Sequence, residues 1–593
     1  MHSRSHSLLF LALTGLLAAG TYPVIADESI DGDTVSVPQL MRNLDSDNPN
    51  VASSAARALG VVFSPGGRGG EELAEVTTML IERLDSPKGA SIRRECARAL
   101  GRMKATAAVE KMKTAMRDED IDVAMTAGEA IGNILPVDEA RAYLVEQGTD
   151  AGEHMLVASL HGLAPIAKAQ DKDFLLSGLD SPNWRAQQDA VRGLERAVHS
   201  GASLTAENYD AIAAVFGNNI VNAASRAIRF FTHVRNEDSF AAVLKAADTR
   251  GDGTKADDTW RLRAHALRTL WHHGPAAQKQ ALPTIIRQLG DHTANVTNEA
   301  RRILHELREE HYVSQQDLFP IMLTELEKAE SLKLRGGIMR EMGSHVDRQY
   351  ASRVAQIAAS TLDACLEDTR EWPARAYAVT LIGSSGYTGS MEQVSTCVAD
   401  DVANVRQAAG KTLEQLSALC APEQSAVVAP LLQPLLINPV DWRKTAIAAR
   451  AVGGYAQADN IEPLVLLLSH SVINVRQGAS HSLVTICESS NDELRKVVVA
   501  ALYPELENNP AAWEYGAPVL GSLRDAQALP QLTIILQRGN WLAQVAAANA
   551  IVQIAEENKI SDKPLSTALI QAGQSEVLQV QQACDRALRA LTK

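Results

Sequence analysis

The sequence predicts an all-α protein, an α-α superhelix of about sixteen helical hairpins, on three observations. A nine-residue frame returns sixteen times, with an apolar residue (once Lys444), a small residue four positions later and an aliphatic residue eight positions later. Only 4% of the 593 residues are aromatic, which suits closely packed helices better than sheets. Short turns rich in Asp, Ser, Asn and Pro precede the frames. Internal repetition of such a helical unit is the signature of a solenoid.

The frame places one stripe of side chains on one face of a helix, because residues i, i+4 and i+8 lie on the same side. Its middle slot is Ala in eleven of sixteen cases, and a small residue there lets a neighbouring helix approach closely. Cys96 and Cys584 also occupy this slot, so we expect both thiols to be buried. The frames begin at Val51, Ile92, Val123, Met155, Ala186, Ile220, Leu262, Val296, Leu334, Ala374, Val405, Lys444, Val475, Tyr515, Ala543 and Val580.

A second apolar helical stretch precedes each frame, for example at residues 76–84, 174–179, 461–468 and 529–536. The two stretches are joined by turns such as residues 84–87 and 179–182, both with the sequence LDSP. We expect the Asp and Ser of these turns to supply N-cap oxygens, and Pro is tolerated in a first helical turn. Each repeat is therefore predicted to be a helical hairpin that buries its apolar face only against its neighbours.

Residues 404–409 (NVRQAA) and 474–479 (NVRQGA) carry a family resemblance. They resemble HEAT repeats, particularly the short type found in phycobilisome lyase-like proteins, and glycines such as Gly60, Gly101 and Gly453 match the end of that motif. The resemblance covers residues 37–593 and implies a HEAT/armadillo-like solenoid whose frame helices line the concave face. HEAT arrays serve many roles, so the resemblance implies a fold and leaves the function open.

The N-terminus predicts export. Arg4 precedes an apolar run at residues 8–19, and small or aliphatic residues at 24–26 provide a cleavage point. This arrangement is typical of a secretory signal peptide, here residues 1–26, followed by a short linker at 27–36. The run is too short to span a bilayer, and no later segment approaches the required length. We therefore expect a periplasmic or extracellular protein without a membrane span.

The charge balance restricts the partners. Acidic residues outnumber basic ones 71 to 57, which gives a formal net charge of −14. Nucleic acid would be repelled by this mean field, so we expect no nucleic-acid partner. A protein or extended peptide that is neutral or basic fits the charge better.

Six tryptophans stand two residues before a frame, which places each in the first turn of a frame helix. They are Trp184, Trp260, Trp372, Trp442, Trp513 and Trp541. One interpretation is an aromatic ridge at the edge of the groove, suited to peptides or sugars. The other is a wedge that closes each turn against its neighbour, and recurrence at one structural position favours this wedge.

An arginine follows the first frame residue in several repeats, and Arg406 and Arg476 are the examples within the best HEAT matches. With acids in the nearby turns, these arginines are expected to form a structural row of ion pairs along the solenoid. The alternative interpretation is a groove that binds phosphate or carboxylate groups.

The favoured hypothesis is an exported, non-catalytic scaffold or adaptor that binds another protein or a peptide on the concave face. The sequence has no nucleophile constellation, no phosphate-binding glycine loop and no complete metal-ligand motif, so we predict no catalytic, cofactor-binding or metal-binding residues. Two alternatives stay open: an enzyme or enzyme subunit that handles a cofactor, as in lyase-type HEAT proteins, and a protein that binds envelope polysaccharide through the tryptophans.

Overall fold

The residues that the structure describes fold into sixteen helical hairpins. The computed structural model describes residues 36–67, 70–149, 152–249, 259–310, 312–343, 346–365, 369–489, 491–557, 560 and 562–591. These residues form 32 α-helices that alternate as the first and second helix of a hairpin, with short 3₁₀ turns and no strand among them. The prediction of an all-α HEAT/armadillo-like solenoid is confirmed. The predicted signal peptide at 1–26 lies outside the described residues, as does nearly all of the predicted linker.

The chain divides into two compact units, and the first ends at Ser239. Its helices are α1 (Val37–Leu44), α2 (Pro49–Val62), α3 (Leu73–Glu82), α4 (Ala90–Met103), α5 (Val109–Ala115), α6 (Ile121–Ile134), α7 (Val137–Gly148), α8 (Glu153–Leu163), α9 (Lys172–Ser177), α10 (Trp184–His199), α11 (Ala206–Ala214) and α12 (Val221–His233). The second helices α2, α4, α6, α8, α10 and α12 pack one against the next in chain order. The first unit is thus held together through its even-numbered helices.

The second unit begins at Phe240, within α13 (Glu237–Ala247). Its helices continue as α14 (Trp260–Leu270), α15 (Pro275–Arg287), α16 (Ala294–Glu309), α17 (Gln315–Lys328), α18 (Leu332–Met342), α19 (Ala351–Cys365), α20 (Trp372–Ser385), α21 (Met391–Thr396), α22 (Ala403–Leu416), α23 (Pro422–Ile437), α24 (Trp442–Ala451), α25 (Ala458–Leu467), α26 (Ile473–Glu488), α27 (Asp492–Asn508), α28 (Trp513–Ser522), α29 (Leu529–Arg538), α30 (Trp541–Glu557), α31 (Lys563–Ala572) and α32 (Leu578–Leu591). Here α14 packs on α16, and the even-numbered helices from α18 to α32 pack consecutively. Across the described part of the chain, no helix combines the length and the hydropathy that a membrane span needs.

The predicted frame describes the buried stripe of the second helices. Fifteen of the sixteen predicted frames begin at the third residue of a second helix, and the middle slot is buried in all sixteen. The expected burial of Cys96 and Cys584 is confirmed, since neither has any exposed surface. Burial raises the pKa of the Cys96 thiol to about 12 and that of the Cys584 thiol to about 11. These thiols fill the small-residue slot in place of alanine.

The frame predicted at Ile220 is wrong by three residues. Ile220 is the exposed N-cap of α12, and the residues that occupy the three frame slots are Ala223, Ala227 and Phe231, all buried. The ring of Phe231 lies 5.4 Å from Phe216 and 5.2 Å from Phe230, measured between centroids. Burial of this aromatic cluster sets the register, because a large ring left in water would forfeit about 1.5–3 kcal/mol.

The expected N-caps are present at some second helices and absent at others. An aspartate caps α6 and α24 and a serine caps α18, each accepting from a backbone N–H, as expected. The cap of α10 is Asn183, whose side chain accepts a hydrogen bond from the backbone N–H of Arg185 at 3.0 Å. Ser181 of the LDSP turn accepts instead from the N–H of Asn183 at 3.0 Å. The same serine contact recurs in the turns before α2 and α4, where Ser46 and Ser86 are the acceptors. In these three turns the serine therefore shapes the loop, and the cap comes from a later residue or is missing.

Candidate functional site

The six predicted tryptophans occupy one edge of the hairpins, where each is the first residue of a second helix. Their exposure differs along this edge. Trp541 exposes 46% of its surface, Trp513 only 8%, and the other four are half-buried. The indole Nε1 of Trp513 donates a hydrogen bond to the carbonyl oxygen of Leu506 at 2.6 Å. Trp513 thus closes its own turn, as the wedge interpretation describes.

An arginine covers three of the tryptophan rings. The guanidinium carbon of the next residue lies 4.7 Å from the ring centroid at Trp184 and at Trp260, and 4.8 Å at Trp442. Such a cation over an aromatic face is a favourable contact that occupies the surface a sugar ring would stack on. Trp541 is the tryptophan that presents the most open face to a ligand.

The arginines that follow the first frame residue contact the hairpin turns in two ways. Some form ion pairs with an aspartate of the next turn, as Arg93 does with Asp118 at 2.7 and 2.8 Å. Others donate to backbone carbonyl oxygens of their own turn. Arg406 Nη1 lies 2.7 Å from the oxygen of Asp400 and 2.8 Å from that of Asp401, and Arg476 Nη1 lies 2.7 Å from that of His470. These contacts fit the structural row of the first interpretation.

Glutamine takes the place of arginine in this role in several repeats, which the sequence reasoning missed. The side-chain amides of Gln187, Gln544 and Gln581 each donate to a carbonyl oxygen of the preceding turn at 2.7–3.2 Å. Glutamine, like arginine, presents several N–H donors at the end of a flexible side chain. Both residue types occur one residue after the start of a frame, and this shared position could have identified the glutamines from the sequence.

A second row of cations was also missed. Each cation of this row stands six residues after the start of a frame. The residues three and six positions after a frame start lie on one side of each even-numbered helix, and we call that side the second-helix face. The row consists of Arg57, Arg98, Arg192, Arg229, Arg268, Arg302, Arg340, Lys411, Arg450 and Arg586. Its regular spacing was visible in the sequence once the frames were aligned. The row gives the second-helix face a local positive charge in an acidic protein.

Buried carboxylates hold members of this row in place. The acid stands three residues after the start of the next frame. Arg57 Nε lies 3.2 Å from Glu95, and Arg268 Nε lies 3.5 Å from Glu299. At the step from α8 to α10 the cation is a histidine, and the Nδ1 of His161 lies 2.8 Å from the Oδ2 of Asp189. Each pair links one second helix to the next, with the acid beneath the face and the cation at its surface.

The pKa of His161 is raised by its surroundings. Burial acts to lower this pKa, but the hydrogen bond to Asp189 and the charges of Asp189 and Glu129 outweigh it, while Arg192 opposes them. The Asp189 carboxylate is itself buried, and its Oδ1 has no hydrogen-bond partner among the described residues. The imidazolium of His161 is thus the charge that compensates Asp189.

Raising the pH is expected to weaken the first unit through His161. A group whose pKa is higher in the folded protein than in the unfolded chain, where it is about 6.5, contributes fully below that value and loses its contribution as the pH rises through the folded value. Between about pH 5.5 and about pH 8.5, the urea stability of the wild-type chain should therefore fall relative to that of His161→Gln. The matched control is His481→Gln, at the same helix position but exposed. Parallel pH profiles for wild type and His161→Gln would contradict the assignment.

Within the part of the chain that the structure describes, no group of three or more His, Cys, Asp or Glu side chains is placed to hold a metal ion. No protein-family model matches the sequence, and no curated protein matches it.

Solved structures are similar at low identity. The karyopherin Kap121p bound to the SUMO protease Ulp1p has a TM-score of 0.40 and 13% identity, over 98% of this chain and 72% of that one. Importin β in a polyethylene glycol condition has a TM-score of 0.37 and 13% identity, over 94% and 88%. The CpcE–CpcF complex of phycocyanin lyase from Nostoc sp. PCC7120 has a TM-score of 0.25 and 17% identity, over 49% and 100%. The paired helices and the repeated frame of this chain give it the architecture of a HEAT-repeat solenoid.

Proposed function

We propose that the chain is a non-catalytic scaffold or adaptor that binds another protein or an extended peptide on its second-helix face. The row of cations at one helix position in ten of the sixteen repeats supports this proposal. Most of these side chains are exposed, and they point from a face that repeats with every hairpin. A repeated surface of this kind suits an extended partner, because many small contacts add along it.

The row is pre-organised for binding. Arg302 contacts Glu299 at 2.6 Å and Glu306 at 2.5 Å, and Arg450 Nε lies 2.6 Å from Glu414. Arg98 likewise contacts the buried Glu95 of its own helix. Side chains that are already held lose less conformational entropy when a partner arrives. Guanidinium groups retain further N–H donors for the carbonyl and carboxylate oxygens of a peptide.

The partner's overall charge and the location of the complex are parts of the same proposal. The net charge of −14 favours a partner that is neutral or basic over most of its surface. The signal peptide predicted at residues 1–26 supports encounter in the periplasm or outside the cell. Intact-mass measurement of the protein from an export-competent bacterial host tests the location, since processing would leave a chain that begins at Asp27.

Site-specific photo-cross-linking tests the binding face. A photoreactive amino acid at Lys411 or Arg586, on the second-helix face, is expected to capture the partner in intact cells. The matched controls are Arg117, beyond the end of α5, and Lys496, in α27, which are equally exposed but belong to the first-helix side. Capture confined to Arg117 and Lys496 would contradict the proposal. A stoichiometric chromophore or metal in the purified protein would instead favour the cofactor-handling alternative.

A further inference from the structure

At some steps from one second helix to the next, the sixth position of one frame lies close to the third position of the following frame. The step from α10 to α12 differs in charge from three other steps on the second-helix face. At three other steps, a cation six residues into one frame meets an acid three residues into the next: Arg57 with Glu95, His161 with Asp189, and Arg268 with Glu299. At the step from α10 to α12, the cation Arg192 is followed at the acid position by Arg226, counted from the corrected frame start at Ala223. Two like charges thus stand where these three steps have an ion pair.

Arg192 and Arg226 line one cavity of about 310 Å³ in the first unit. Arg196, His199, Glu195 and the apolar pair Ala164 and Pro165 complete its lining. The two helices α10 and α12 together contain five arginines (185, 192, 196, 226 and 229) and two carboxylates (189 and 195). The cavity is therefore a local concentration of positive charge in a chain whose mean charge is negative.

The carboxylates present are already engaged. Glu195 contacts Arg226 at 2.7 Å and the Nδ1 of His233 at 2.6 Å, and Asp189 is paired with His161. Arg192 and Arg196 are exposed and have no ion-pair partner anywhere in the described residues. The lining of the cavity therefore contains one carboxylate and three guanidinium groups. Because positive groups are in excess, at least one further negative group would be stabilised there.

The surroundings of Arg226 show the same shortage of acceptor groups. Its Nε atom is buried and has no hydrogen-bond partner in the described part of the chain. Burial lowers the pKa of the Arg226 guanidinium; the charges of Arg229 and Arg192 add to this change, while those of Glu195 and Asp189 oppose it. A buried donor without an acceptor is costly, so a ligand oxygen near this guanidinium would remove a penalty as well as add a contact.

We propose, on the basis of the proposed function, that this cavity binds an acidic segment of the protein partner, with an Asp or Glu carboxylate seated among Arg192, Arg196 and Arg226. The partner then supplies the acid that the next helix supplies at three other steps. Three other guanidinium groups of this face, those of Arg57, Arg268 and Arg302, contact carboxylates of the chain itself. A carboxylate is also the group that meets the cation at the three ion-paired steps, which favours an Asp or Glu side chain as the occupant.

Fluorescence polarisation with the full chain tests this site. The probe is a labelled twelve-residue peptide of alternating Glu and Ser, compared with the same peptide carrying Gln in place of Glu. We expect the acidic peptide to bind at least about tenfold more tightly than the Gln peptide, and its affinity to fall as salt is added. The double variant Arg192→Gln/Arg196→Gln should weaken acidic-peptide binding about tenfold. The matched control Arg340→Gln, an exposed member of the same row in the second unit, should leave it within about twofold.

Several outcomes would overturn the assignment. Equal binding of the Gln peptide, an unchanged affinity of the double variant, or an equal loss in Arg340→Gln would each show that the cavity does not select an acidic segment. Stronger binding of a phosphoserine peptide of matched length, or displacement by millimolar inorganic phosphate, would assign the site to phosphate. Because both substituted arginines are exposed, circular dichroism should show an intact helical fold. Failure here with photo-capture at Lys411 or Arg586 retained would reject this site while leaving the proposed function standing.

Discussion

Replacing Arg263 with methionine is expected to lower the free energy of unfolding of the second unit by about 3–5 kcal/mol. Arg263 is fully buried in α14, and its Nε lies 2.6 Å from the Oδ2 of Asp291, whose side chain is 4% exposed. Methionine fills a similar volume but leaves the Asp291 carboxylate buried without its positive partner. Removing one member of a buried pair is costly because the remaining charge cannot be rehydrated.

Stability should be measured for individual helices as well as for the whole chain, because a repeat array need not unfold in one step. Hydrogen exchange of peptides from α14 and α16, read by mass spectrometry, should accelerate in Arg263→Met together with a lower urea midpoint. The double variant Arg263→Met/Asp291→Asn should recover most of the loss, since it removes both charges and keeps a side chain that can accept from the N–H of Thr293, as Asp291 does at 2.7 Å.

An exposed ion pair provides the comparison. Lys444 Nζ lies 2.8 Å from Asp401 Oδ1, with 22% of the lysine side chain and 97% of the aspartate exposed. Lys444→Met should change stability by less than about 1 kcal/mol, because water screens such a pair. Equal effects of Arg263→Met and Lys444→Met would mean that burial does not decide the cost of these ion pairs.

Helix identity and the buried stripe could be predicted from the sequence because both depend on local spacing. The nine residues of a frame lie within one helix, so their spacing can be read from the sequence alone. The frame correctly located the third residue of fifteen second helices. The register failed at Ile220, where Ala223, Ala224 and Ala227 offer competing small residues. The deciding contact there joins Phe231 to Phe216, fifteen residues earlier and in another element, so counting within one helix could not reveal it.

The charge pattern of the second-helix face was harder to predict. Its cations stand at a fixed spacing, but each acid lies on the next second helix, 38 residues away for Arg57 and Glu95 and 31 for Arg268 and Glu299. Only the stacking of even-numbered helices shows that these residues meet. The same stacking shows that Arg192 and Arg226 share a cavity, so two cations meet there where three other steps have an ion pair.

Sequence alone could not separate binding candidates from structural residues at the turns. Tryptophans and arginines recur there, and Trp513 and Arg406 are buried and bonded to backbone carbonyl oxygens. Residues that shape a repeat recur at one position for the same reason that a binding row does. Exposure separates the two cases, and exposure follows from the packing of the hairpins.

A close approach of backbone to backbone should make Gly128 intolerant of any side chain. Gly128 lies in α6 where it crosses α8, and a Cβ added to it would overlap the carbonyl oxygen of Ala158. From the opposite side, a Cβ on Gly162 would lie 2.5 Å from the carbonyl carbon of Gly128. Both obstacles are main-chain atoms, which cannot rotate away as a flexible side chain could.

Gly128→Val is therefore expected to destabilise the first unit by about 3 kcal/mol, because the two helices must separate to admit the side chain. Valine also restores some helix propensity relative to glycine, but that gain is below about 1 kcal/mol and does not offset the overlap. Hydrogen exchange should accelerate in α6 and α8 first, while the helices of the second unit keep their protection. The matched control is Gly152→Ser at the N-cap of α8, where an added Cβ meets no atom within 4 Å and φ is −64°. Gly152→Ser should remain within about 0.5 kcal/mol of wild type, and equal stability of Gly128→Val would show that α6 and α8 do not depend on this contact.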